Sequence, residues 1–422
     1  MMNKCKLTDI YPRQKLYGNY NSKDFLKSIF LKNLDKTYNK KKIEKKIKSI
    51  FISKYARILN HERIGFYIII KNLLKLNPQK KEIILSPYTI WDVVNMVILA
   101  GGKPIFVDIN KKDFTISSAT LKKAINKNTL AIIFTHYHIL SNEIDIIKNY
   151  LDKKKIFLIE DCAIFVGSDY LKYNKPKKNQ FRLLSFGRSK FVSSISGGAI
   201  LLSNNKVLEM IDKDLSQLSS PSKIWIISYY IKTLKLLLFS NTFMFRALFF
   251  WILKFLHLAY YNKFARIGDN DPNPKLHIDL PKNYLSDISD YQINIINKKL
   301  NKTIYKDKIT RISNAKIYYN ELKNIKKLTL LKKSFSQSDV YINYPILCKE
   351  RDNLHKFLIL NNYDCSTYFY KDCNSLTVFK KFHKKLNNVK YVNNNILVLP
   401  TYPDYPKKNI VNICKLIKSF YA

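Results

Sequence analysis

Between residues 63 and 202, the sequence alternates short apolar runs of β-strand length with segments long enough for helices. This alternation limits the fold more than any other feature, because it is typical of βαβ units, which pair their strands in parallel. Ligands of such sheets bind beyond the carboxyl ends of the strands. The residues that follow the runs are therefore the candidates for a functional site. The runs are residues 82–87, 103–109, 129–135, 155–161 and 198–203.

The chain has 422 residues, of which 46% are hydrophobic, and this is enough for a large core and a second, smaller one. We predict a polar N-terminal segment, residues 1–55, that packs onto the body. A large domain follows over residues 56–282. A smaller C-terminal α/β domain with a linking helix takes residues 283–422.

The formal net charge is +43, from 74 Lys and Arg against 31 Asp and Glu. Such a charge is typical of proteins that bind nucleic acid or an anionic membrane. Lys, Asn and Ile are frequent along the whole chain, however, as in proteins encoded by A+T-rich genes, and Arg, the better reader of bases and phosphates, is scarce. No basic stretch coincides with a DNA- or RNA-binding motif, so we expect no specific nucleic-acid partner. Strongly salt-dependent binding would indicate the opposite.

The six cysteines are scattered, and no two have the CxxC spacing of a zinc or redox site. We therefore expect reduced, structural thiols and no metal site. The N-terminus has no apolar stretch behind its charges, unlike a signal peptide, so the cytoplasm is the expected compartment.

Residues 221–266 differ from the rest of the chain because they are rich in Phe, Leu, Tyr and Trp. Their longest charge-free stretch, 236–245, has about half of the roughly 20 residues that a membrane-spanning helix needs. A helix break with an N-cap is predicted at 240–242, and hence two consecutive apolar helices. Apolar helices that carry cations suit a membrane interface, with the protein peripheral at the inner face of the cell membrane. A hydrophobic lid or an oligomer interface explains them equally well, and the sequence leaves both interpretations open.

Asp161 ends the apolar run KIFLIED, at the predicted carboxyl end of a buried strand. A buried carboxylate is costly unless a cation meets it. A protonated pyridine nitrogen satisfies this need in pyridoxal-phosphate (PLP) catalysis, where the protonated ring acts as an electron sink. Capping of the next helix is the alternative role for Asp161.

Lys190 lies between a short strand and a glycine pair, in SFGRSKFVSSISGGA, residues 185–199. A lysine in this place can form an imine with an aldehyde and, once displaced by substrate, can shuttle a proton. Ser185 can donate its hydroxyl to a phosphate oxygen, while Gly197 and Gly198 permit a tight turn. One lysine among many basic residues carries no weight by itself, so its context decides the interpretation.

Several blocks match, in order and spacing, those of the DegT/DnrJ/StrS family of PLP-dependent sugar aminotransferases. The chain resembles this branch of the fold-type I (aspartate aminotransferase) superfamily over roughly residues 60–210 and 280–420. The resemblance implies an α/β fold with a large domain, whose mostly parallel sheet is sandwiched by helices, and a smaller C-terminal α/β domain. The matching blocks are EIILSPYTIWDVVNMVILAGGKPIFVDIN (82–110), TLAIIFTHYH (129–138), IEDCA (159–163), SFGRSKFVSSISGGA (185–199) and ILVLPTYPDYPKKNIVNICKLI (396–417).

The resemblance assigns roles to individual residues. Lys190 falls on the lysine that forms a Schiff base with PLP, Asp161 on the partner of the pyridinium nitrogen, and Ser185 on a phosphate contact. Arg63 and Ile64 fall on a phosphate-binding turn just before a helix, where the helix N-terminus suits an anion. Many family members have Gly-Thr or Ser there, but an arginine can pair with phosphate directly.

The sequence departs from the family where side chains contact the cofactor ring. The aromatic residue that stacks on the ring falls on Ile90, so Trp91 or Tyr88 has to replace it, or an aliphatic face serves instead. The polar residue expected three positions after the aspartate is Ile164. His136 falls on the family's histidine after the third strand, where it is either a site residue or a structural histidine.

In this family, the partner subunit of a homodimer completes the active site, and Asn283 or Ser286 is the candidate for that part here. The resemblance also implies an aminotransferase with two half-reactions. Glutamate is the usual amino donor, and the acceptor is a keto sugar, usually nucleotide-linked, that is used for surface polysaccharides.

Two other functions remain open from the sequence. Ile90 and Ile164 suggest a catalytically degenerate or membrane-associated homologue. The second alternative is a PLP-dependent sugar dehydratase, in which the imine-forming lysine is typically replaced by histidine, so Lys190 argues against it. If residues 221–266 contact a bilayer, two interpretations stay open: a lipid-linked acceptor, or an enzyme that lies beside membrane glycosyltransferases.

Overall fold

The apolar alternation builds a central sheet, which has seven strands in the residues that the computed structural model describes, 7–15, 36–259, 274–300, 304–367 and 370–422. The strand order is β1-β8-β7-β6-β5-β2-β4, and the five strands from β7 to β4 are parallel. The prediction of a mostly parallel sheet is therefore confirmed. The strands are β1 (Tyr55–Leu59), β2 (Glu82–Leu85), β4 (Lys103–Phe106), β5 (Thr129–Thr135), β6 (Phe157–Asp161), β7 (Gln180–Ser185) and β8 (Gly198–Leu202); β3 (Tyr88–Thr89) lies outside this sheet.

The apolar runs predict five of these strands and miss β1 and β7. Each missed strand contains an arginine that interrupts its apolar pattern, Arg57 in β1 and Arg182 in β7. Strand β8 pairs antiparallel with β7, and β1 pairs antiparallel with β8. The loop 186–197 contains no helix that could carry the chain across the sheet, so β8 returns in the opposite direction.

Helices cover both faces of the sheet. In β5, Ile132 and Phe134 belong to the core on one face, and Ala131 and Ile133 to the core on the other, as the alternation of side chains along a strand requires. The helices up to the apolar segment are α1 (Lys36–Ile50), α2 (Glu62–Leu76), α3 (Trp91–Leu99), α4 (Ser118–Ala124), α5 (Ile144–Lys154), α6 (Tyr170–Tyr173) and α7 (Asn205–Ser216).

The apolar segment forms two consecutive helices, α8 (Lys223–Ser240) and α9 (Thr242–Ala259). Asn241 ends the first and caps the second, because its side-chain oxygen accepts hydrogen bonds from the backbone N–H groups of Phe243 and Met244. Among the described residues, α9 is the one helix long and apolar enough to cross a membrane. The predicted segment continues through 260–266, which lies outside the described residues.

The C-terminal region builds a second sheet with the order β12-β10-β9. A separate two-residue pairing joins this region to the first part of the chain: Lys371 pairs with Thr89, and Asp372 with Tyr88. This pairing places Lys371 beside the residues that lead into α3. The C-terminal elements are α10 (Asp290–Leu300), α11 (Ile304–Leu322), β9 (Leu328–Leu330), β10 (Asn343–Cys348), α12 (Arg351–Leu360), β11 (Lys371–Asp372), α13 (Asn387–Asn395), β12 (Ile396–Pro400) and α14 (Lys407–Tyr421).

The described parts of the N-terminal segment pack onto both regions. Ile43 and Ile47 of α1 are buried in one of the sheet cores. The Arg13 backbone N–H donates to the Asp364 carboxylate at 2.9 Å, which ties residues 7–15 to the C-terminal region. Residues 1–6 and 16–35 of the predicted segment lie outside the described residues.

Candidate active site

A cavity of about 430 Å³ lies at the carboxyl ends of β6 and β7 and at the start of α2 and α3. Asp161, Ser185 and Lys190 all line it. Its volume is within the range of about 300–1,000 Å³ that is usual for small-molecule sites. The structure thus brings the three central residues of the sequence prediction to one place.

Asp161 is the last residue of β6, where its side chain is almost fully buried. One carboxylate oxygen accepts a hydrogen bond from the Ala163 backbone N–H at 3.0 Å, and the other from the Thr135 hydroxyl at 3.3 Å. Burial raises the pKa of Asp161, while the Ala163 N–H and the charge of Lys190 act in the opposite direction. A cation in the cavity therefore stabilises the ionised carboxylate.

Lys190 lies in a turn after β7, where its backbone N–H donates to the Gly187 carbonyl at 3.1 Å. Burial lowers the pKa of its ammonium group, and the nearby carboxylates of Glu62 and Asp161 partly oppose this effect. A lowered pKa increases the fraction of neutral amine, which is the form that attacks a carbonyl or accepts a proton.

Ser185 ends β7, and Gly198 begins β8 directly opposite it in the antiparallel pair. A Cβ at Gly198 would lie 2.6 Å from the backbone N and Cα of Glu62, so only glycine allows the first residue of α2 to come this close. Gly198, the second residue of the predicted glycine pair, thus allows the start of α2 to lie close to β8.

Glu62 is a cavity residue that the sequence analysis did not identify, although it precedes Arg63 directly. Its side chain is 6% exposed, and Oε1 has no hydrogen-bond partner among the described residues. Burial and the charge of Asp161 raise the pKa of Glu62 well above its ordinary value, whereas Lys190 and the Ser185 hydroxyl lower it. A carboxylate therefore lies beside the residue predicted to contact phosphate.

Arg63 lines the cavity, but its guanidinium already has partners in the chain. Nη1 lies 2.7 Å from the Asp92 carboxylate and donates to the Tyr284 hydroxyl at 2.6 Å. Ile64, the other residue of the predicted phosphate turn, is buried in the core of the large sheet. Of this pair, the structure brings only Arg63 to the cavity.

The residues predicted to face the cofactor ring are divided between two cavities. Ile90 and Trp91 line the first cavity, at the start of α3. Ile164 lines a second cavity of about 190 Å³, which meets the first at Lys190. Tyr88 is fully buried in the core of the C-terminal region and lines neither cavity.

His136 lies on the opposite side of the sheet from the site. Its Nε2 is 2.9 Å from the Glu160 carboxylate, and its ring stacks on Phe165 at 4.7 Å between centroids. Glu160 also binds Arg182 at 2.9 Å, so these residues form a buried polar cluster. The structure therefore does not bring His136 together with Lys190.

Asn283 and Ser286, the candidates for a contribution to a partner's site, contact Asn60 in their own chain. The Asn60 amide donates to the Asn283 carbonyl at 3.0 Å and to the Ser286 hydroxyl at 2.7 Å. Neither residue lines the cavity of its own chain.

Further cavity residues come from parts of the sequence that gave weaker signals. Arg188 lies two residues before Lys190, and this proximity in sequence is the signal that could have identified it as a cavity residue. Tyr229 and Lys232 belong to α8, for which the family resemblance gives no guide. Tyr370 and Lys371 reach the cavity through the β11–β3 pairing, which no local pattern predicts.

A mostly parallel sheet, with a partly buried lysine and a buried carboxylate in one cavity at its carboxyl edge, is the arrangement expected of a PLP-dependent transferase of fold type I. PLP fits the described residues, because Lys190 would provide an amine for its aldehyde and Asp161 an anion for its ring nitrogen.

The chain belongs to the DegT/DnrJ/EryC1/StrS aminotransferase family, whose model matches residues 29–222 and 282–418. Among curated relatives, an uncharacterized protein of Methanocaldococcus jannaschii is 30% identical over 189 residues, 44% of this chain and 47% of that protein. The UDP-4-amino-4,6-dideoxy-N-acetyl-beta-L-altrosamine transaminase of Helicobacter pylori is 26% identical over 159 residues, 37% of this chain and 41% of the enzyme. The match thus spans less than half the length of these curated relatives.

Solved structures share the fold over nearly the whole chain. Helicobacter pylori PseC, an aminotransferase involved in the biosynthesis of pseudoaminic acid, superposes with a TM-score of 0.71 at 16% identity, over 98% of this chain and 99% of that chain. Escherichia coli GDP-4-keto-6-deoxy-D-mannose-3-dehydratase, solved with bound hydrated PLP, gives 0.69 at 16% identity, over 96% and 98% of the two chains.

Proposed function

We propose that this protein is a PLP-dependent aminotransferase that passes an amino group, from glutamate, to a keto sugar of the nucleotide-linked class used for surface polysaccharides. The observation that carries the proposal is the position of Lys190 and Asp161 on the walls of one cavity. Family membership and the fold shared with sugar aminotransferases support it.

PLP, when bound, supplies the electron sink that makes the α-carbon of an amino acid acidic. Lys190 is the proton carrier in this proposal, because its neutral Nζ would accept the proton from the α-carbon of the amino donor and hold it. The effect of burial on the pKa of Lys190 favours the neutral amine that this role requires. Asp161 holds the proton on the ring nitrogen through its ionised carboxylate.

The remaining predicted residues position the groups. Ser185 donates its hydroxyl to the phosphate, next to the N-terminus of α2. Ile90 and Trp91 limit the space beside the ring and exclude water. Arg63 orients the start of α2 through Asp92 and Tyr284 and adds positive charge to the wall.

A direct test compares wild type with Lys190→Ala after incubation with PLP. Wild type is expected to show the visible absorbance band of a lysine-bound cofactor and to aminate keto sugars with glutamate as donor. Lys190→Ala should lose both properties while it stays folded by circular dichroism. Lys206→Ala, which removes an exposed lysine outside the cavity, is the matched control. A wild-type protein without the band, or a band that survives Lys190→Ala, would overturn the proposal.

We further propose a cytoplasmic homodimer whose subunits complete each other's sites near Asn283 or Ser286, with peripheral contact to the inner face of the membrane through 221–266. Light scattering tests the dimer. Mixing inactive Lys190→Ala with a variant impaired at Ser286 tests the shared site, because a heterodimer then regains one intact site. A mixture that is no more active than the two unmixed variants would contradict a shared site.

A further inference from the structure

Helices α8 and α9 expose a row of large apolar side chains, which we call the apolar face. Ile224 is 81% exposed, Phe243 73% and Phe255 64%. Soluble monomers seldom expose contiguous apolar patches of this kind unless they bind something. The other members are Ile227, Ile231, Leu234, Leu238, Phe239, Leu248, Trp251, Ile252 and Leu258.

The charges that α8 and α9 themselves carry all have one sign. Residues 221–259 contain no Asp or Glu, and Lys223 and Lys235 accompany the apolar residues along α8. Apolar side chains that insert at a surface, with cations beside them, are complementary to anionic lipids. A second copy of the same face would bring identical cations together, which disfavours this face as a symmetric interface between copies.

Helix α9 is attached along its length to the body of the protein. Arg246 donates to the carbonyl oxygen of Thr8 at 2.7 Å, and Lys254 to that of Leu360 at 3.1 Å and to the Asn362 side chain at 2.8 Å. A helix that crosses a bilayer cannot keep these contacts. The composition of α9 therefore fits a helix that lies along a membrane surface with its outer side in the lipid.

Helix α8 also forms part of the active-site wall. Tyr229 and Lys232 line the cavity, and Arg188 lies with its guanidinium 5.5 Å from the centre of the Tyr229 ring. The exposed Ile227 and Leu234 lie on other sides of the same helix. A single helix, about 10–12 Å across, thus separates the cavity from the apolar face.

We propose that the apolar face docks on an anionic membrane and that the keto sugar taken by the cavity is carried there on a lipid diphosphate. The inference rests on the aminotransferase function proposed above, but it replaces the nucleotide carrier of the keto sugar with a lipid carrier. A sugar held at the membrane surface has to pass only helix α8 to reach the cavity. Arg188 and Lys232 at the cavity wall provide cations for its two phosphates.

Vesicle flotation tests the docking step. Wild-type holoenzyme is expected to float with phosphatidylcholine vesicles that contain phosphatidylglycerol, and much less with phosphatidylcholine alone. The triple variant Ile224→Ser, Phe243→Ser, Phe255→Ser should stay at the bottom of the gradient. The matched control changes three exposed apolar residues outside α8 and α9: Ile146→Ser, Tyr173→Ser, Ile278→Ser.

The cation part of the docking step has its own variant. Lys223→Glu with Lys235→Glu should remove the preference for phosphatidylglycerol, because both residues are exposed beside the apolar face. Equal flotation of wild type and the triple variant would overturn the proposal, and so would a wild type that does not float. Loss of the dimer in the triple variant, with no flotation of wild type, would assign the face to a second copy instead.

A lipid diphosphate probe tests the acceptor class. Farnesyl diphosphate in phosphatidylcholine vesicles should increase the floating fraction of wild type several-fold over vesicles without it. Arg188→Glu should lose this increase while it keeps flotation on phosphatidylglycerol vesicles. Abolition of the increase by an equal concentration of free UDP, or no increase at all, would overturn the lipid-linked acceptor. Failure of the aminotransferase proposal would be recognised separately, by a missing cofactor band in a protein that still floats.

Discussion

At the N-terminus of α2, a buried carboxylate lies where the family resemblance predicts a phosphate-binding turn. Glu62 gains from the helix N-terminus, but its exposure of 6% and its unpaired Oε1 make the ionised form expensive. The titratable groups that interact electrostatically with Glu62 are Asp161, Cys162 and Tyr370, together with the cations Lys190 and Arg63. The protonation state of Glu62 therefore bears on any anion that enters here.

We predict that Glu62→Gln binds PLP at least about tenfold more tightly than wild type at alkaline pH, a difference of about 1.4 kcal/mol. Because the pKa of Glu62 is raised, the carboxyl group is neutral at acidic pH and ionises only as the pH rises through its shifted pKa. The ionised form repels the phosphate, so the two proteins should have similar affinities at low pH and diverge at high pH. Apparent dissociation constants from absorbance titrations measure this.

Two controls isolate the effect of Glu62. Glu209→Gln changes an exposed carboxylate of α7 and should behave as wild type. Pyridoxal, which lacks the phosphate, should not distinguish Glu62→Gln from wild type as strongly as PLP does. Equal affinities for PLP at every pH would contradict the prediction.

The sequence predicts the position of Asp161 because this residue follows a strand that the alternation reveals, and that of Lys190 because it lies between a short strand and a glycine pair. It does not separate His136 from them, because the side a residue faces depends on register. Thr135 pairs with Asp161 and Phe134 with Glu160, so His136 falls on the side of Glu160. One step along a strand moves a side chain to the opposite face of the sheet, and a match to a short motif does not show which face a residue occupies.

At the scale of elements, strand β8 and helix α2 meet where Gly198 lies against Glu62. We predict that Gly198→Ala lowers the free energy of unfolding by about 1–3 kcal/mol, because the new methyl group has to displace backbone atoms at 2.6 Å. Urea denaturation followed by circular dichroism measures the loss. Gly187→Ala is the matched control, since its Cβ would meet nothing closer than 3.8 Å. A loss no larger than that of the control would refute the tight contact.

Elements with buried charge are the ones that hydrophobic pattern cannot predict. Arg182 interrupts the apolar run of β7, yet it is fully buried because Glu160 on the neighbouring strand binds it. The pairing partner is not adjacent in sequence, so the apolar runs do not include this strand. For helix α8, the composition does predict the element. Its contribution to the cavity wall, through Tyr229, depends on tertiary packing and is not visible in the sequence.

For the whole molecule, the formal charge of +43 predicts a marked effect of salt on stability. Repulsion among the lysines weakens the folded state at low ionic strength. We expect the urea midpoint to rise as sodium chloride increases to about 0.1 M, where the Debye length falls to about 10 Å, and to level off beyond that. Potassium chloride at equal ionic strength should give the same curve. A midpoint that falls over this range would contradict the prediction.

The fold class could be predicted from sequence because it depends on local periodicity repeated many times along the chain. The family model is interrupted between residues 222 and 282, around the two apolar helices. Composition alone identifies this interruption, but the position of α8 against the cavity is visible only in three dimensions.

The two cavities that meet at Lys190 also share Arg188 and Tyr370 in their walls. Tyr229 and Lys232 of α8 line the larger cavity, and Arg13 and Arg311 line the smaller one. The side chain of Lys190 therefore belongs to the walls of both cavities. Two ligands that each need the Lys190 ammonium group would compete for it, whichever cavity they occupy.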